Sequence, residues 1–296
     1  MRHSGAVAEW LGRGLQSLAH QFDSGRRLSR VPRGGGSRPV ALTSNRRLGE
    51  NDAHVRLGLI SDIHGNRLAL DAVLDELERE GVDEFICLGD VAVGPQPAEA
   101  LERVRELKCP VVMGNWDAAF LGDMPTPKDK IGEQLVEIGE WWASYLSPAD
   151  REYMAGFAPT VKLEVGSTPI LFFHGSPRSY DEWIFSTTPD EELRAMFADI
   201  EERILIGGHT HVQMIRRYLE TIIANPGSVG LAFREWWPRP VRISPWAEYG
   251  VLTWEGERLS IDLRRTPFDV DAFLEMSLKS GMPHAEWWAK SWSTGT

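Results

Sequence analysis

Along the first part of the chain's body, short apolar runs alternate with longer segments in which apolar residues recur at helical spacing. Residues 67–80 are one such segment, and their apolar positions i, i+3, i+4 and i+7 predict a buried helix face: Leu70, Val73, Leu74 and Leu77. Residues 97–107 predict a second helix. The apolar runs between them predict buried strands at residues 57–61, 85–88 and 111–113. This alternation predicts an α/β fold with parallel strand pairing.

After residue 122 the pattern changes. Residues 123–157 have a helical pattern, and residues 191–200 predict another helix. Short apolar runs predict strands at residues 161–165, 170–173, 204–206, 214–218, 222–224, 249–254 and 259–263. The C-terminal end predicts a helix followed by a tail. We therefore assign residues 55–296 to one domain.

Residues 1–54 differ from the rest of the chain in composition. They are rich in Gly, Arg and Ser, and the run from Arg33 to Pro39 sustains neither helix nor strand. This composition predicts a mostly disordered basic extension, and a tail that binds an anionic partner is the alternative. The stretch from Glu9 to Arg27 also resembles the conceptual translation of a tRNA gene. On that hypothesis the start is mis-assigned, and translation begins downstream, at Val55 read from a GTG codon.

Charge and cysteine content narrow the classes of function. Residues 1–54 carry nine Arg and four acidic residues, whereas the remainder carries 23 basic and 39 acidic residues, a net charge of −16. A body this acidic disfavours a nucleic-acid partner, which requires a basic footprint. The sequence has no run of 18 apolar residues to predict a membrane span and no apolar segment that predicts a secretory signal. Cys87 and Cys109 lie in apolar runs, as expected of buried reduced thiols in a cytoplasmic protein.

Polar clusters stand where the predicted strands end. These clusters are Asp62-Ile63-His64, Gly89-Asp90, Gly114-Asn115, His174-Gly175 and Gly207-Gly208-His209-Thr210-His211. The carboxyl ends of the strands in an open α/β sheet meet at one edge, where ligands bind. Oxygen and imidazole groups brought together there suit Mn, Fe, Zn, Ni or Co, and the absence of Cys disfavours a structural zinc site.

Each cluster taken singly has an ordinary structural explanation. Asp62 can cap the following helix, Gly114-Asn115 can form a simple turn, and a lone His174 is typically a hydrogen-bonded core residue. The combination is more informative, because residues 55–296 contain five His and four of them occupy these strand ends. The set as a whole therefore indicates a metal centre.

In their order and approximate gaps, the five clusters resemble the motifs of the calcineurin-like metallophosphoesterase superfamily. The segment Asn225-Pro226-Gly227-Ser228 is similar to a motif of its small bacterial and archaeal phosphodiesterase branch. The resemblance covers about residues 55–265 and implies a four-layer α/β/β/α sandwich with two packed mixed sheets. It also implies two divalent transition-metal ions. Asp62, His64 and His211 would hold one ion, Asn115, His174 and His209 would hold the second, and Asp90 would bridge both.

Such a centre predicts a phosphoesterase that hydrolyses phosphodiesters, with a metal-bridging hydroxide attacking a small phosphate-ester substrate. Asp90, Asn115 and His211 are then the ligands with catalytic roles. Asp90 suits the bridge because it has two oxygens, and the Asn115 amide can both ligate metal and donate to phosphate. Asp117 is expected either to orient a neighbouring ligand or to be an exposed turn acid.

Two features of this sequence differ from the pattern of the superfamily. Many members carry His directly after the Asn, where it is thought to protonate the leaving group, whereas this chain has Trp116. We expect Trp116 to form a wall of the substrate pocket and catalysis to be weaker on poor leaving groups. The loop at residues 233–242 is rich in Arg and Trp, and Arg239 and Arg242 are candidate substrate contacts. Packing of this loop on the domain or on another subunit is the alternative.

Other functions stay open. The same scaffold can carry a phosphomonoesterase or a dinucleoside polyphosphate hydrolase, and such a fold can also act as a protein-interaction scaffold without catalysis. Scaffolds of this kind tend to lose metal ligands, so the full set in this chain favours an enzyme. The Trp pairs at residues 141–142 and 287–288 are expected in the core or at an interface, and they make a homodimer an open alternative.

Overall fold

The structure is a computed structural model, and it describes residues 46–48, 54–165, 168–235, 241–256 and 258–292. Most of the predicted basic extension, residues 1–45 and 49–53, therefore lies outside the described residues. Within that extension, β1 (Arg46–Leu48) is a short strand that the sequence did not predict.

The first half of the domain alternates strand and helix as predicted, in the order β2 (His54–Ile60), α1 (Arg67–Arg79), β3 (Glu84–Cys87) and α2 (Pro97–Leu107). Helix α1 buries its predicted apolar face and begins where Asn66 Oδ1 accepts the backbone N–H of Ala69 at 3.0 Å. The strand predicted at residues 111–113 is reduced to two isolated bridges, because Val111 pairs with Cys87 whereas Val112 pairs with Ala158.

The helical stretch predicted at residues 123–157 contains two helices, α4 (Lys130–Ala143) and α5 (Pro148–Ala155), and a further helix that was not predicted, α3 (Asn115–Leu121), precedes it. Pro125 and Pro127 lie between α3 and α4, where their missing N–H donors disfavour a helix. Helix α4 then begins at Asp129, whose carboxylate accepts the backbone N–H groups of Ile131 and Gly132. The cluster at Gly114-Asn115 lies at the start of α3, with Gly114 as its N-cap.

The second half of the domain contributes most of the strands. They are β4 (Val161–Val165), β5 (Thr168–Phe172), β6 (Ile204–Ile206), β7 (Met214–Tyr218), β8 (Thr221–Asn225), β9 (Phe233–Glu235), β10 (Arg242–Ile243), β11 (Trp246–Glu255) and β12 (Arg258–Pro267). The helices of this half are α6 (Asp190–Met196), α7 (Val270–Lys279) and α8 (Ala285–Ala289).

These strands form two mixed sheets. One sheet has the order β12-β11-β2-β3, in which β2 and β3 are parallel and β11 pairs antiparallel with β2. The other has the order β1-β4-β5-β6-β8-β7, and its pairs β5–β6 and β6–β8 are parallel. The carboxyl ends of the parallel strands in each sheet therefore share an edge. Strands β9 and β10 form a separate antiparallel pair.

Three apolar clusters fill the space between the layers. The first lies between the two sheets and includes Leu57 and Leu252 from one sheet and Phe172 and Ile206 from the other. The second packs α1 to α5, α7 and α8 on the outer face of the four-stranded sheet, and the third packs α6 on the six-stranded sheet. This arrangement confirms the predicted α/β/β/α sandwich with two packed mixed sheets.

None of the helices in the described part of the chain is both long enough and apolar enough to cross a membrane. Cys87 is buried, Cys109 is half-buried, and neither forms a disulfide bond.

Candidate metal centre and substrate cavity

Loops at the carboxyl ends of β2, β3, β5 and β6 carry the Asp and His side chains of the candidate centre. The backbone at five of these residues has a φ angle between 51° and 68°: Asp62, His64, Asp90, His209 and His211. Residues with a Cβ rarely adopt this left-handed conformation, which costs on the order of 1–3 kcal/mol each. Strain concentrated in this way is typical of functional sites.

Asp62, His64 and His211 form a first group of converging ligand atoms, and all three are buried. Asp62 Oδ1 lies 3.2 Å from His211 Nε2 and 3.8 Å from His64 Nε2. The two imidazole nitrogens are 3.0 Å apart. This group has the composition that the resemblance implies for the first ion.

A second group contains Asp62, Asp90 and His174. His174 Nε2 lies 3.6 Å from Asp90 Oδ2 and 4.0 Å from Asp62 Oδ1, and Asn115 Oδ1 lies 3.1 Å from the same nitrogen. Asp90 Oδ2 is also 3.8 Å from His64 Nε2, so the Asp90 carboxylate lies near both groups. Asp62 belongs to both groups as well, whereas the resemblance assigned it to the first ion alone.

Backbone carbonyl groups orient two of the imidazoles. His174 Nδ1 lies 2.7 Å from Leu88 O, and His211 Nδ1 lies 2.9 Å from Leu231 O. Because a carbonyl oxygen only accepts, Nδ1 of each ring carries a proton. The Nε2 atom of each ring is left to face the carboxylates, as in metal sites whose His is held by an outer hydrogen bond.

Asp117 is fully buried beneath the Asp90 loop. Its carboxylate accepts three backbone N–H groups, from Asp90 at 2.7 Å, Val91 at 3.1 Å and Gly114 at 3.2 Å. Of the two alternatives for Asp117, the structure therefore supports the orienting role. Gly114 is required here because a Cβ at this position would lie 2.1 Å from Asp90 Oδ1.

Asp62, Asp90 and Asp117 bring three buried carboxylates together. Burial, reinforced by the charges of Asp117 and Asp62, raises the pKa of Asp90 well above its ordinary value. Burial acts in the same direction on Asp62, but His211 and His64 outweigh it, and the pKa of Asp62 lies well below its ordinary value. Burial lowers the pKa of His64 from 6.5 to about 4, so this ring is neutral at pH 7.

Two observations fit a divalent cation at this position. Asp62 Oδ1 is buried and accepts no hydrogen bond from the described residues, although three imidazoles surround it. His174 Nε2 and Asn115 Oδ1, two atoms that can each ligate a metal, lie 3.1 Å apart. Imidazole nitrogens together with carboxylate and amide oxygens are a donor set that suits Mn, Fe, Zn, Ni or Co.

His209 lies beside the centre but outside both groups. Its ring centroid is 4.9 Å from that of His174, and its Nε2 lies 3.3 Å from the backbone oxygen of Asp181. Its backbone N–H donates to Asp62 Oδ2 at 3.0 Å, which ties the two loops together. The role of His209 as a metal ligand stays a prediction from the resemblance.

The segment Asn225–Ser228 supports the ligand loops from outside. Asn225 Nδ2 donates to Gly208 O at 2.6 Å and to Thr210 Oγ1 at 3.0 Å, within the loop that carries His209 and His211. Ser228 Oγ donates to the backbone oxygen of Asp62 at 2.7 Å. The segment Asn225–Ser228 therefore holds the backbone of the ligand loops in place.

The ligand loops open into a cavity that is continuous with solvent, and its empty space is about 940 Å³ when the solvent at its mouth is included. Its lining includes His64, Asp90, Asn115, His209 and His211. The rest of the lining is almost entirely apolar and comprises Val93, Trp116, Leu135, Trp142, Trp183, Leu231, Phe233, Val241, Ile243, Trp288 and the polar Ser291. A pocket with apolar walls and a few convergent polar groups is the usual form of a small-molecule site.

Trp116 forms part of the cavity wall, as expected, and is buried. Its backbone N–H also donates to Asp90 Oδ1 at 2.9 Å, a role that does not depend on the side chain. Trp142 and Trp288 are buried core residues, as expected of the Trp pairs, yet both also line the cavity. Helical periodicity can predict that a Trp faces inward, but it does not show which cavity the side chain lines. No pattern in the sequence predicted that Trp183 lies at the cavity.

The sequence predicted two Arg residues, Arg239 and Arg242, as substrate contacts, and the structure describes only one of them. Arg239 lies outside the described residues. Arg242 is exposed and stands between Val241 and Ile243, which both line the cavity. Because successive side chains of an extended segment point to opposite faces, Arg242 points away from the cavity. The structure does not bring Arg242 together with the metal ligands.

A layered sandwich with Asp, Asn and His gathered at its strand ends has the architecture of a metallophosphoesterase. A family model described as the calcineurin-like phosphoesterase superfamily domain matches residues 55–237. The chain belongs to this superfamily.

Known proteins of bacteria and archaea resemble the chain over most of its length. An uncharacterized protein of Methanocaldococcus jannaschii, MJ0912, is 25% identical over 250 residues, covering 78% of this chain and 94% of the relative. A metallophosphoesterase from Sphaerobacter thermophilus matches with a TM-score of 0.61 at 24% identity, covering 80% of this chain and 98% of its own. The hypothetical protein PH1004 from Pyrococcus horikoshii matches with a TM-score of 0.67 at 21% identity, covering 82% and 99%. These structural likenesses support the fold.

Proposed function

We propose that the protein is a phosphodiesterase that uses two divalent transition-metal ions to hydrolyse a small phosphate-ester substrate. The observation that carries this proposal is the pair of ligand groups that share Asp62 and both approach Asp90. Asp62, His64 and His211 would hold one ion. Asp90, His174 and Asn115 would hold the other, with His209 as a further ligand.

When bound, such a pair of ions supplies Lewis acidity and activates water as the nucleophile. The chain's own residues position the ligands and the substrate. Asn115 lines the cavity with an amide that can ligate a metal through its oxygen and donate its N–H to a phosphate oxygen. The apolar wall around it excludes water, which strengthens the electrostatic interactions at the reacting phosphate.

The charges of the cavity favour a diester over a monoester. Among the described residues that line it, none is Lys or Arg, so no side-chain cation stands ready for the second negative charge of a monoester. Trp116 occupies the position of the acid seen in many members of the superfamily, and its indole N–H can donate a hydrogen bond but is not acidic enough to protonate a leaving group. We therefore propose diesters with good leaving groups as the preferred substrates.

The experiment uses the full chain and follows hydrolysis of bis-p-nitrophenyl phosphate and of p-nitrophenyl phosphate with Mn²⁺ or with EDTA. The proposal expects metal-dependent hydrolysis of the diester, loss of that activity in Asp90→Asn, and normal activity in the control Asp123→Asn, which changes an exposed acid. Preferred cleavage of the monoester would favour a phosphomonoesterase. Failure to bind any metal would favour an interaction scaffold and would overturn the proposal.

A further inference from the structure

The first ligand group is divided between the two sheets. Asp62 and His64 follow β2 of the four-stranded sheet, whereas His211 lies between β6 and β7 of the six-stranded sheet. Asp62 Oδ1 and His211 Nε2 are nevertheless only 3.2 Å apart. Because ligand distances in a metal site are fixed to within about 0.2 Å, the two sheets must be joined firmly beside these residues.

A bridging segment, residues 226–231, follows β8 of the six-stranded sheet and contacts ligands from both sheets. Ser228 Oγ accepts the backbone N–H of Leu231 at 2.8 Å and donates to Asp62 O at 2.7 Å. The carbonyl oxygen of Leu231 in turn lies 2.9 Å from His211 Nδ1. The position of the bridging segment therefore sets the distance between Asp62 and His211.

Gln213 fastens this segment to the four-stranded sheet. Its Nε2 atom lies 3.1 Å from the backbone oxygen of Pro226, 3.3 Å from that of Tyr249 and 2.8 Å from that of Arg264. Tyr249 and Arg264 are partners on β11 and β12, and Gln213 stands two residues after His211. One amide, with both of its N–H bonds used, thus ties the His211 loop and the bridging segment to the opposite sheet.

Packing at Gly227 adds to these hydrogen bonds. A Cβ at this position would lie 2.8 Å from Gln213 Cγ and 2.2 Å from Glu248 Oε2, and the φ angle of Gly227 is 83°. Glu248 is buried, and its backbone N–H donates to Ser228 O at 2.9 Å. The bridging segment is therefore held between two side chains and has little room to shift.

We propose that Gln213 is a positioning residue for the first metal ion, because it fixes the bridging segment that spaces His211 from Asp62. This inference rests on the proposed function, in which that ion is held by the first ligand group. The second group also spans both sheets, but there His174 Nδ1 contacts Leu88 O directly, at 2.7 Å. Loss of the Gln213 amide should consequently weaken the first ion and spare the second.

Calorimetric titration of the full chain with Mn²⁺ tests this selectivity in two backgrounds. His174→Ala removes a ligand of the second ion, and adding Gln213→Met there is expected to lower Mn²⁺ affinity about tenfold or more. His211→Ala removes a ligand of the first ion, and adding Gln213→Met there is expected to change Mn²⁺ affinity by no more than about twofold. Retained binding in the second background also shows that Gln213→Met is folded.

Two results would overturn the inference. Equal losses of Mn²⁺ affinity in both backgrounds would mean that Gln213 supports the fold in general. Unchanged affinity in both would mean that Gln213 does not position the first ligand group.

Further variants separate the N–H donors from the shape of the side chain. Gln213→Glu keeps the length but turns a carboxylate towards three carbonyl oxygens, so in the His174→Ala background it is expected to lower Mn²⁺ affinity at least as far as Gln213→Met. The control Gln134→Met removes another half-buried amide, which contacts His284, and should leave Mn²⁺ affinity unchanged. Undiminished affinity in Gln213→Glu would contradict the inference.

The unaltered protein and the Gln213 variants are also assayed with bis-p-nitrophenyl phosphate, so that the two proposals fail separately. Metal-dependent hydrolysis together with no effect of Gln213→Met on Mn²⁺ binding would overturn the inference and leave the proposed function standing. The expected selective loss of Mn²⁺ affinity without any hydrolysis would support the inference and count against the proposed function.

Discussion

The carboxylate of Asp117 accepts the backbone N–H of Asp90 at 2.7 Å, and both residues are buried. Asp117 also accepts the N–H groups of Val91 and Gly114, so one carboxylate serves three donors. In Asp117→Asn, the amide NH₂ would face at least one of these donors and release the Asp90 loop. We expect Mn²⁺ affinity, measured by calorimetry, to fall about 10- to 100-fold.

The control for Asp117→Asn is Asp123→Asn, which removes one carboxylate charge from an exposed position. It is expected to bind Mn²⁺ as the unaltered protein does. If both variants bind Mn²⁺ equally well, Asp117 does not position the ligand loop.

A second prediction concerns the stability of the protein without metal. Burial and the nearby carboxylates of Asp117 and Asp62 raise the pKa of Asp90, so its ionised form destabilises the metal-free fold at pH 7. Asp90→Asn keeps an oxygen for the Trp116 N–H and removes the charge. In EDTA we expect this variant to be more stable by about 1–3 kcal/mol, as measured by thermal unfolding.

The unaltered protein should gain stability when Mn²⁺ is added, because the ion binds only the folded state. Asp90→Asn should gain little. A lower melting temperature of Asp90→Asn in EDTA would show that the carboxylates do not repel one another as proposed.

The pH dependence of stability gives a third prediction. Burial lowers the pKa of His64 from 6.5 to about 4, so the unfolded chain binds more protons than the folded one between these values. The stability of the EDTA-treated protein should therefore fall as the pH drops through 6.5 towards 4. For this buried ring the loss between pH 7.5 and pH 5 is about 2 kcal/mol.

Urea unfolding at several pH values measures this loss. His64→Gln should flatten the profile, whereas the control His54→Gln, which changes an exposed histidine, should leave it unchanged. An identical slope for His64→Gln and the unaltered protein would contradict the prediction.

Local patterns made much of this fold predictable. The periodicity of α1 and α2 lies within single segments, and the polar clusters mark strand ends directly, so helix positions and candidate ligands could be read from the sequence. The late start of α4 at Lys130 was not predicted, because the helical pattern there outweighed Pro125 and Pro127, and the break between α4 and α5 was not predicted either. Val111 and Val112 form only bridges, since they pair with different partners.

Features that depend on tertiary contacts could not be predicted from the sequence. The membership of Asp62 in both ligand groups depends on how the two sheets meet. The aromatic side chains that line the cavity come from α3, α4, α8, β9 and one loop, which are far apart in the chain: Trp116, Trp142, Trp288, Phe233 and Trp183. The exposure of Arg242 depends on the strand register of β10, which a two-residue strand does not reveal.

The final prediction concerns Trp116 and the leaving group. The Trp116 side chain lines the cavity, and its backbone N–H donates to Asp90 Oδ1. Any residue except proline at this position keeps that backbone donor. Trp116→His would therefore keep this hydrogen bond and place an imidazole at the cavity wall. General acids of this kind contribute about 10²- to 10⁴-fold to reactions that need them.

The measurement compares bis-p-nitrophenyl phosphate with diphenyl phosphate, two diesters of similar shape whose leaving groups differ in acidity. Protonation helps the poorer leaving group more, so Trp116→His should raise the diphenyl to bis-p-nitrophenyl ratio of kcat/KM by about tenfold or more. The gain should vanish at high pH, where the introduced imidazole is neutral. Trp116→Phe isolates the change in shape and should not alter the ratio. If the two variants give the same ratio at every pH, no acid acts from this position, and the weakness towards poor leaving groups has another cause.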